Sequence, residues 1–302
     1  MNSIDRLIQL AGLRGSLDLR CQLQGDWALD HEPLPAGVAQ YHIVLSGHCQ
    51  AEMPDGKVLR LAAGDILVLP GGAAHVLRNE GRRVAPTVPQ ISEAGFLPLH
   101  RIGREGDTLD MLCGSFHYQP ESLLMGALPE YLKIASDSFA QGDQLPALVG
   151  LLRGEADANR LGARVLVDAL SSALFTLILR VYLQENAPSG GTLALLGDKR
   201  LGRAWQAMLN DPAHAWTIEA LAERASMSRA TFMRQFTQVS GESPWALLTK
   251  VRMGLAYRLL ASSQMSLTDI AAQVGYQSQA AFTKKFRDTY GDAPGRVRRA
   301  LN

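Results

Sequence analysis

The sequence is poor in cysteine, with 3 among 302 residues. An odd and unclustered set of cysteines argues against a disulfide framework and favours a reducing compartment. The first 14 residues mix charged with apolar side chains and do not resemble a signal peptide. The longest apolar run, residues 169–183, contains Arg180, and we interpret it as too short to cross a bilayer. These absences predict a cytoplasmic protein that does not enter a membrane.

The chain also lacks an overall charge excess, because its formal net charge at pH 7 is only +1. That average conceals two different parts of the chain. Residues 1–199 contain 16 Lys and Arg against 22 Asp and Glu, whereas residues 200–302 contain 14 against 7. An acidic front and a basic back predict that only the C-terminal part contacts a polyanion such as DNA.

Short apolar or alternating runs, broken by Gly and Pro, extend from about residue 17 to residue 116. Examples are residues 41–45, 58–61 and 65–69. Regularly spaced short strands of this kind are typical of a sandwich or a small barrel. Residues 80–110 are rich in Pro, Gly and charged residues, which predicts one long loop.

The pattern becomes helical after Pro120. Residues 161–184 predict a long helix that is apolar around most of its circumference, so we expect it to be buried in its own domain or against a partner chain. We therefore predict a multidomain α+β protein with three parts. These are a β-barrel at 1–120, a helical linker and dimerisation region at 121–200, and an all-α domain at 201–302.

The C-terminal part contains an internal repeat. Each copy fits a helix-turn-helix unit, at about residues 217–240 and 267–290. A Ser caps the second helix, two Phe at i and i+4 pack inward, and a Gly ends the helix. A single helix over residues 244–260 would connect the copies. The repeated residues are Leu221-Ala222, Ser228, Phe232, Phe236 and Gly241 in the first copy, and Ile270-Ala271, Ser278, Phe282, Phe286 and Gly291 in the second.

Burial of the Phe pairs turns the opposite face of each second helix outward. Arg234 and Lys284 are equivalent under the repeat, and both can donate to guanine or to phosphate. Gln279 can pair with adenine, small or methyl-bearing side chains can contact thymine methyl groups, and the other arginines favour phosphates. The predicted DNA-binding residues are Ser228, Arg229, Ala230, Thr231, Arg234, Ser278, Gln279, Ala280, Thr283, Lys284 and Arg287.

The second copy resembles the signature of the AraC/XylS transcriptional regulators. It departs from that signature at Val297, where the family usually has an aromatic residue. The resemblance covers about residues 200–300 and implies seven helices, promoter DNA as ligand and, in most members, activation through contact with RNA polymerase. The residues that carry it are Ile270-Ala271, Gly275-Tyr276, Ser278, Phe282, Lys284, Phe286-Arg287, Gly291, Pro294 and Arg298.

Residues 64–79 resemble the second cupin motif, whereas the first cupin motif is degraded and retains His42. Metal cupins bind their ion through three His and one Glu. Here only His42 and His75 are in place, and His48 is a weak third candidate, so we predict no cofactor. The N-terminal part also resembles the cupin sensor domains that precede AraC-type DNA-binding domains, which implies that it senses a signal. The matching motif residues are Gly64, Pro70, Gly72, His75 and Asn79.

The signal itself is open between alternatives at this point. An apolar barrel interior suits a small organic ligand. Cys21 and Cys113 resemble positions in a subgroup of cupin-type AraC regulators that includes an activator of reactive-chlorine resistance, which implies control by oxidation of these two thiols. Arg20 could favour a thiolate, and a sulfenic acid could be captured as a disulfide. We expect Cys49 to serve packing.

The expected protein is therefore a homodimeric activator of transcription, not an enzyme. A metal-dependent cupin enzyme fused to a DNA-binding tail is the alternative from another class.

Overall fold

The computed structural model of the chain forms two compact units. One consists of Leu13–Tyr118 and Leu128–Glu185, and we call it the barrel unit. The other consists of Met1–Gly12, Gln119–Ala127 and Asn186–Asn302, and we call it the helical unit. The residues described are 3–81, 84–93, 96–103, 108–138, 144–158, 160–188 and 190–301.

This division differs from the predicted boundaries at 120 and 200. Residues 144–185 belong with the barrel instead of forming a part of their own, and the N-terminal residues belong with the helical unit.

The described part of the barrel unit contains eleven strands. Most are short and are separated by the turns that Gly and Pro predict. They are β1 (Arg14–Gln24), β2 (Ala28–His31), β3 (Val38–Ser46), β4 (His48–Glu52), β5 (Val58–Ala62), β6 (Ile66–Leu69), β7 (His75–Arg78), β8 (Gln90–Ser92), β9 (Leu99–Ile102), β10 (Thr108–His117) and β11 (Leu132–Ile134).

The strands form a seven-stranded sheet in the order β11-β6-β3-β10-β1-β9-β8 and a four-stranded sheet in the order β2-β7-β4-β5. Alternation along β5 buries Leu59 and Leu61 and exposes their neighbours, as a half-buried strand requires. Side chains from both sheets, including Val44 and Leu77, form one apolar core together with Trp27 from the turn between β1 and β2. The predicted small barrel is confirmed.

The prediction of one long loop over residues 80–110 is wrong. The strands β8 and β9 lie within it, and β9 pairs in parallel with β1 from Arg20↔Leu99 to Leu23↔Ile102. The side chains of Leu97 and Ile102 are buried, which gives this segment an apolar anchor that its Pro and Gly content conceals. Parts of the prediction, at 82–83, 94–95 and 104–107, fall outside the described residues.

Two helices complete the barrel unit, α2 (Gln144–Ala158) and α3 (Ala163–Glu185). One face of α3 packs against β1, burying Leu174 and Phe175, and the Phe175 ring meets Phe116 edge-on at 5.3 Å. By length and composition alone α3 could cross a membrane, which corrects our expectation that the run is too short. Val165 remains 75% exposed, so the helix is buried on one face and not around its circumference.

The helical unit begins with α1 (Ser3–Ala11), an amphipathic helix that packs on two later helices, α5 and α8. Seven helices, α5 to α11, lie in the described part of residues 201–302, the number implied by the family resemblance. The later helices are α4 (Gly191–Gly197), α5 (Leu201–Asn210), α6 (Ile218–Arg224), α7 (Arg229–Ser240), α8 (Pro244–Ser262), α9 (Leu267–Gln273), α10 (Gln279–Tyr290) and α11 (Pro294–Leu301).

The helix α8 is apolar around much of its circumference and contacts α1, α5, α7, α9 and α11. Its N-cap is Ser243, whose side chain accepts a hydrogen bond from the Ala246 amide, and Pro244 occupies the first turn. Leu247, Val251 and Leu260 are fully buried. A helix buried in this way is held by its neighbours on several sides.

We predict that Gly114→Ala destabilises the barrel unit. A Cβ at this position would lie 2.3 Å from the Ser16 carbonyl oxygen and 2.3 Å from the Tyr41 ring. Overpacking of this kind costs about 1–3 kcal/mol. Urea unfolding of the full chain measures the loss. The matched control is Gly150→Ala in α2, where a Cβ meets nothing within 4 Å and Ala favours the helix. Equal stabilities of the two variants would contradict the described packing.

Candidate functional site

The turns of the two helix pairs α6/α7 and α9/α10 share one backbone hydrogen bond, although the second turn is one residue longer. In the first, the Met227 amide donates to the Ala222 carbonyl at 2.9 Å, and in the second the Tyr276 amide donates to the Ala271 carbonyl at 2.8 Å. Both turns need a residue with positive φ. Gly275 (φ 86°) supplies it in the second copy, and Ser226 (φ 53°) supplies it in the first. The repeat in the sequence is therefore a repeat of backbone geometry.

The second helix of each pair is capped as predicted. Ser228 accepts from the Thr231 amide at 3.3 Å, and Ser278 accepts from the Ala281 amide at 3.2 Å. Each of these helices ends at a glycine in the left-handed conformation. The Phe232/Phe236 and Phe282/Phe286 pairs are fully buried. These contacts fix how far each helix is rotated about its axis, and thus which residues face outward.

The outward faces of α7 and α10 carry the predicted residues. Arg234 and Lys284 are exposed, and neither makes an ion pair or a side-chain hydrogen bond with any residue that the structure describes. The outward face of α10 borders an open cavity with a volume of about 700 Å³. Its lining residues are Gln279, Ala280, Thr283, Lys284, Arg287 and Asp288.

Some of the predicted residues have partners within the chain. Arg229 lies 3.0 Å from Glu219 in an exposed ion pair, and the Thr268 hydroxyl donates to Gln279 Oε1 at 2.7 Å. Gln279 would have to release that hydroxyl in order to pair with adenine through both its amide atoms. Thr231 and Thr283 are half-buried, at the edges of their faces.

A second candidate site lies inside the barrel unit, where three histidines converge. His31 is on β2, His75 is its cross-strand partner on β7, and His42 is on β3 of the other sheet. One ring nitrogen of each lies within 4.8 Å of the others. His42 Nε2 and His75 Nε2 are 2.9 Å apart, and the rings of His31 and His75 stack at 4.4 Å.

The environment keeps these imidazoles neutral. Desolvation, together with the nearby His75, lowers the pKa of His31 to about 4. Desolvation also lowers the pKa of His75, and it lowers the pKa of the fully buried His42 well below the ordinary value. The neutral form of the ring is the form that can donate a lone pair.

Cys113 on β10 lies next to this cluster, and Cys21 lies on the neighbouring strand β1. A hydrogen bond with Cys21, followed by desolvation, raises the pKa of Cys113 well above its ordinary value, so this thiol is protonated. Cys113 Sγ is also 3.1 Å from His42 Nδ1. Desolvation raises the pKa of Cys49 to about 12, and Cys49 lies in the apolar core as expected.

The structure corrects two expectations about the barrel. His48 is exposed at the start of β4 and lies outside the cluster, whose third member is His31. Arg20 does not support a Cys21 thiolate, because strand neighbours point to opposite faces and its guanidinium binds Asp110 and Asp157. His31 escapes sequence reasoning since it belongs to neither cupin motif; only the β2–β7 pairing brings it to His75.

A cavity of about 510 Å³ opens beside the cluster. His31 and His75 both line it, so the cluster is reachable from outside the core. Its rim carries the acidic residues Asp30, Glu32 and Glu52, the last of which pairs with Arg78 at 3.3 Å. The cavity is thus an access route whose lining combines apolar side chains with charged ones.

Comparison with known proteins finds two matching family models. A cupin model matches residues 3–184, and a helix-turn-helix domain model matches residues 221–300. The cupin match runs on through α2 and α3, consistent with their place in the barrel unit. The two matched ranges include the residues of both candidate sites.

Several curated proteins are similar to the chain over nearly its whole length. An HTH-type transcriptional regulator of Haemophilus influenzae, without a characterised role, is 40% identical over 100% of both chains. The HTH-type transcriptional regulator MtrA of Neisseria gonorrhoeae is 34% identical over 99% of this chain and 98% of its own. The RCS-specific HTH-type transcriptional activator RclR of Escherichia coli is 30% identical over 99% and 97%.

We predict that Gly275→Ala destabilises the helical unit more than Gly291→Ala does. Both glycines have a similar positive φ, 86° and 79°, so the backbone cost of about 1–2 kcal/mol is shared. Only at Gly275 would a Cβ also clash, lying 2.7 Å from the Ala213 carbonyl oxygen. Thermal unfolding of the full chain distinguishes the two costs. Equal losses would mean that the close approach between the second turn and residue 213 is absent in solution.

Proposed function

Because the chain belongs to the cupin-containing, AraC-type helix-turn-helix transcriptional regulators, we propose that it reads two adjacent promoter half-sites and is controlled through its barrel. As a member of this family it is a DNA-binding transcriptional regulator and not an enzyme. The observation that carries the proposed reading mode is that the turn hydrogen bond, the serine N-cap and the buried Phe pair all recur in α6/α7 and α9/α10.

In this proposal α7 and α10 each enter a major groove. Arg234 and Lys284 donate to guanine O6 and N7, and Gln279, Ala280 and Thr283 meet the edges of neighbouring bases. Arg229 and Arg287 contact phosphates, which fix position without reading sequence. The exposed, basic faces and the shared support of α8 favour this arrangement.

Arg234→Ala and Lys284→Ala are each expected to weaken binding to a promoter fragment about ten- to hundred-fold, because one good base contact is worth about 1–3 kcal/mol. The measurement is a gel shift at fixed salt on a fragment selected from genomic DNA by the wild-type chain. Unfolding midpoints of both variants should match the wild type, since both side chains are exposed and form no ion pair or side-chain hydrogen bond with a described residue.

The control variant is Arg296→Ala, which removes an equal charge from α11, where Arg296 pairs with Asp292 at 3.0 Å. It should lower affinity at most slightly and equally for specific and random DNA. Unchanged promoter affinity in Arg234→Ala or Lys284→Ala would remove that residue from the reading surface.

For the signal we propose oxidation of Cys21 and Cys113 to a disulfide. The support is their hydrogen bond across neighbouring strands and the similarity to an RCS-specific activator. Hypochlorous acid would convert one thiol to a sulfenic acid with loss of H⁺ and Cl⁻. The other thiol would then attack that sulfur and release water, so the pair loses two hydrogens in all. Because both thiols are buried, the oxidant must be small.

Thiol trapping after mild hypochlorite tests this step in the intact chain. We expect Cys21 and Cys113 to become resistant to alkylation together, and a Cys21→Ala variant to lose the oxidant response of a promoter reporter. The matched control is Cys49→Ala, which removes a third buried thiol of the same core and should keep the response. The redox mechanism would be contradicted if reporter expression rose while Cys21 and Cys113 stayed reduced.

A small-molecule effector is the second candidate signal. The 510 Å³ cavity is large enough for one, and its lining offers both apolar and charged side chains to such a ligand. Binding there would be insensitive to loss of Cys21, which separates it from oxidation.

We further propose that the regulator is a homodimer in the cytoplasm and activates by contacting RNA polymerase. Exposed apolar side chains on and between α2 and α3, namely Leu151, Leu161, Val165 and Leu166, support pairing through these helices.

A further inference from the structure

The histidine cluster inside the barrel is used by neither the DNA-reading mechanism nor the disulfide step. His42 is fully buried and His75 is 3% exposed, in a core that is otherwise made almost wholly of apolar side chains. Three polar rings cost free energy in such a place unless their nitrogen atoms are satisfied. Their convergence from two sheets places three possible nitrogen ligands within reach of one ion.

Backbone carbonyls hold two of the three rings through their Nδ1 atoms. His31 Nδ1 lies 3.3 Å from the Leu29 carbonyl oxygen, and His75 Nδ1 lies 3.1 Å from the Ala73 carbonyl oxygen. A carbonyl only accepts, so both rings carry their proton on Nδ1 and present a bare Nε2. Metal-binding histidines are oriented in this way by backbone carbonyls.

The contact between His42 Nε2 and His75 Nε2 requires a positively charged or proton-bearing group between the two nitrogen atoms. With the His75 nitrogen bare, a 2.9 Å approach is favourable only if a proton or another cation lies between the two atoms. In the metal-free chain His42 donates that proton and accepts at Nδ1 from the Cys113 thiol. A metal ion can take the place of the proton and bind His31 Nε2 as well.

We propose that His31, His42 and His75 form a binding site for one transition metal ion, Zn²⁺ or Cu⁺. No carboxylate belongs to the group among the residues described, which disfavours the hard cations Mg²⁺ and Ca²⁺. Nitrogen ligands of a tetrahedral zinc ion lie about 3.3 Å apart. That value falls between the 2.9 Å separation and the 4.8 Å limit of the cluster, so the nitrogen atoms are spaced on the scale of a metal site.

The cavity provides a route for the ion. His31 and His75 line it, and the exposed carboxylates of Asp30 and Glu32 attract cations toward the rings, whereas Glu52 is paired with Arg78. In the metal-bound form the His42 proton would move to Nδ1, 3.1 Å from Cys113 Sγ, so the ion would share this residue with the thiol pair. The site itself rests on geometry and stands whether or not the thiols respond to oxidants.

The test is metal binding by the purified, reduced full chain after treatment with a chelator. Zn²⁺ is added in competition with a chromophoric chelator in one arm, and Cu⁺ is added anaerobically in the other. We expect one equivalent to bind in at least one arm and to raise the unfolding temperature. His31→Ala should weaken binding at least tenfold. It removes a partly exposed ring at the cavity and is chosen because it spares the buried core.

His48→Ala is the matched control, because it removes an exposed histidine from the same unit and should bind as the wild type does. A circular dichroism spectrum confirms that each variant is folded. His75→Ala provides a second ligand variant and should behave as His31→Ala does. The proposal is overturned if neither ion binds stoichiometrically to the wild type, or if His31→Ala and His75→Ala bind as tightly as His48→Ala.

Discussion

The packing of α8 is the constraint on which the DNA-reading arrangement depends. This helix lies between the two helix-turn-helix units in the chain and contacts α7 of the first and α9 of the second. Leu247, Val251 and Leu260 are completely buried along it, so neither unit can turn freely against it. Tyr257 extends the contact by lying 5.0 Å from the Tyr290 ring at the end of α10. Because α8 is fixed in this way, it holds the two helix-turn-helix units at a constant distance from each other.

The barrel unit differs from the helical unit because its core contains polar side chains. Its core is closed by apolar side chains from two sheets, yet it places three histidines and two thiols in contact. Burial keeps the rings neutral and Cys113 protonated, so the cluster carries no charge at rest. A neutral, desolvated group of ligands and thiols is sensitive to whatever adds charge or removes electrons. This is the physical reason for assigning signal reception to the interior and DNA contact to the basic, exposed helices.

The helix-turn-helix units could be predicted in detail because every element of them is local. Caps at Ser228 and Ser278, and Phe pairs at i and i+4, are readable at fixed spacings, and the structure confirms them. The barrel site depends on strand pairing instead. His31 reaches His75 only through the β2–β7 register, and the spacing of the two residues along the sequence does not predict this contact. In the first turn, Ser226 adopts a positive φ that the sequence hides, since tertiary packing overrides its local preference.

The central claim is that one chain reads two successive major grooves with α7 and α10. Guanine methylation interference on the bound promoter fragment tests it most directly. The account predicts two clusters of interfering guanines per chain, about 10.5 base pairs apart, which is one turn of B-DNA. Lys284→Ala should abolish interference in one cluster and leave the other. A single cluster, or two clusters on opposite sides of the helix, would contradict the account.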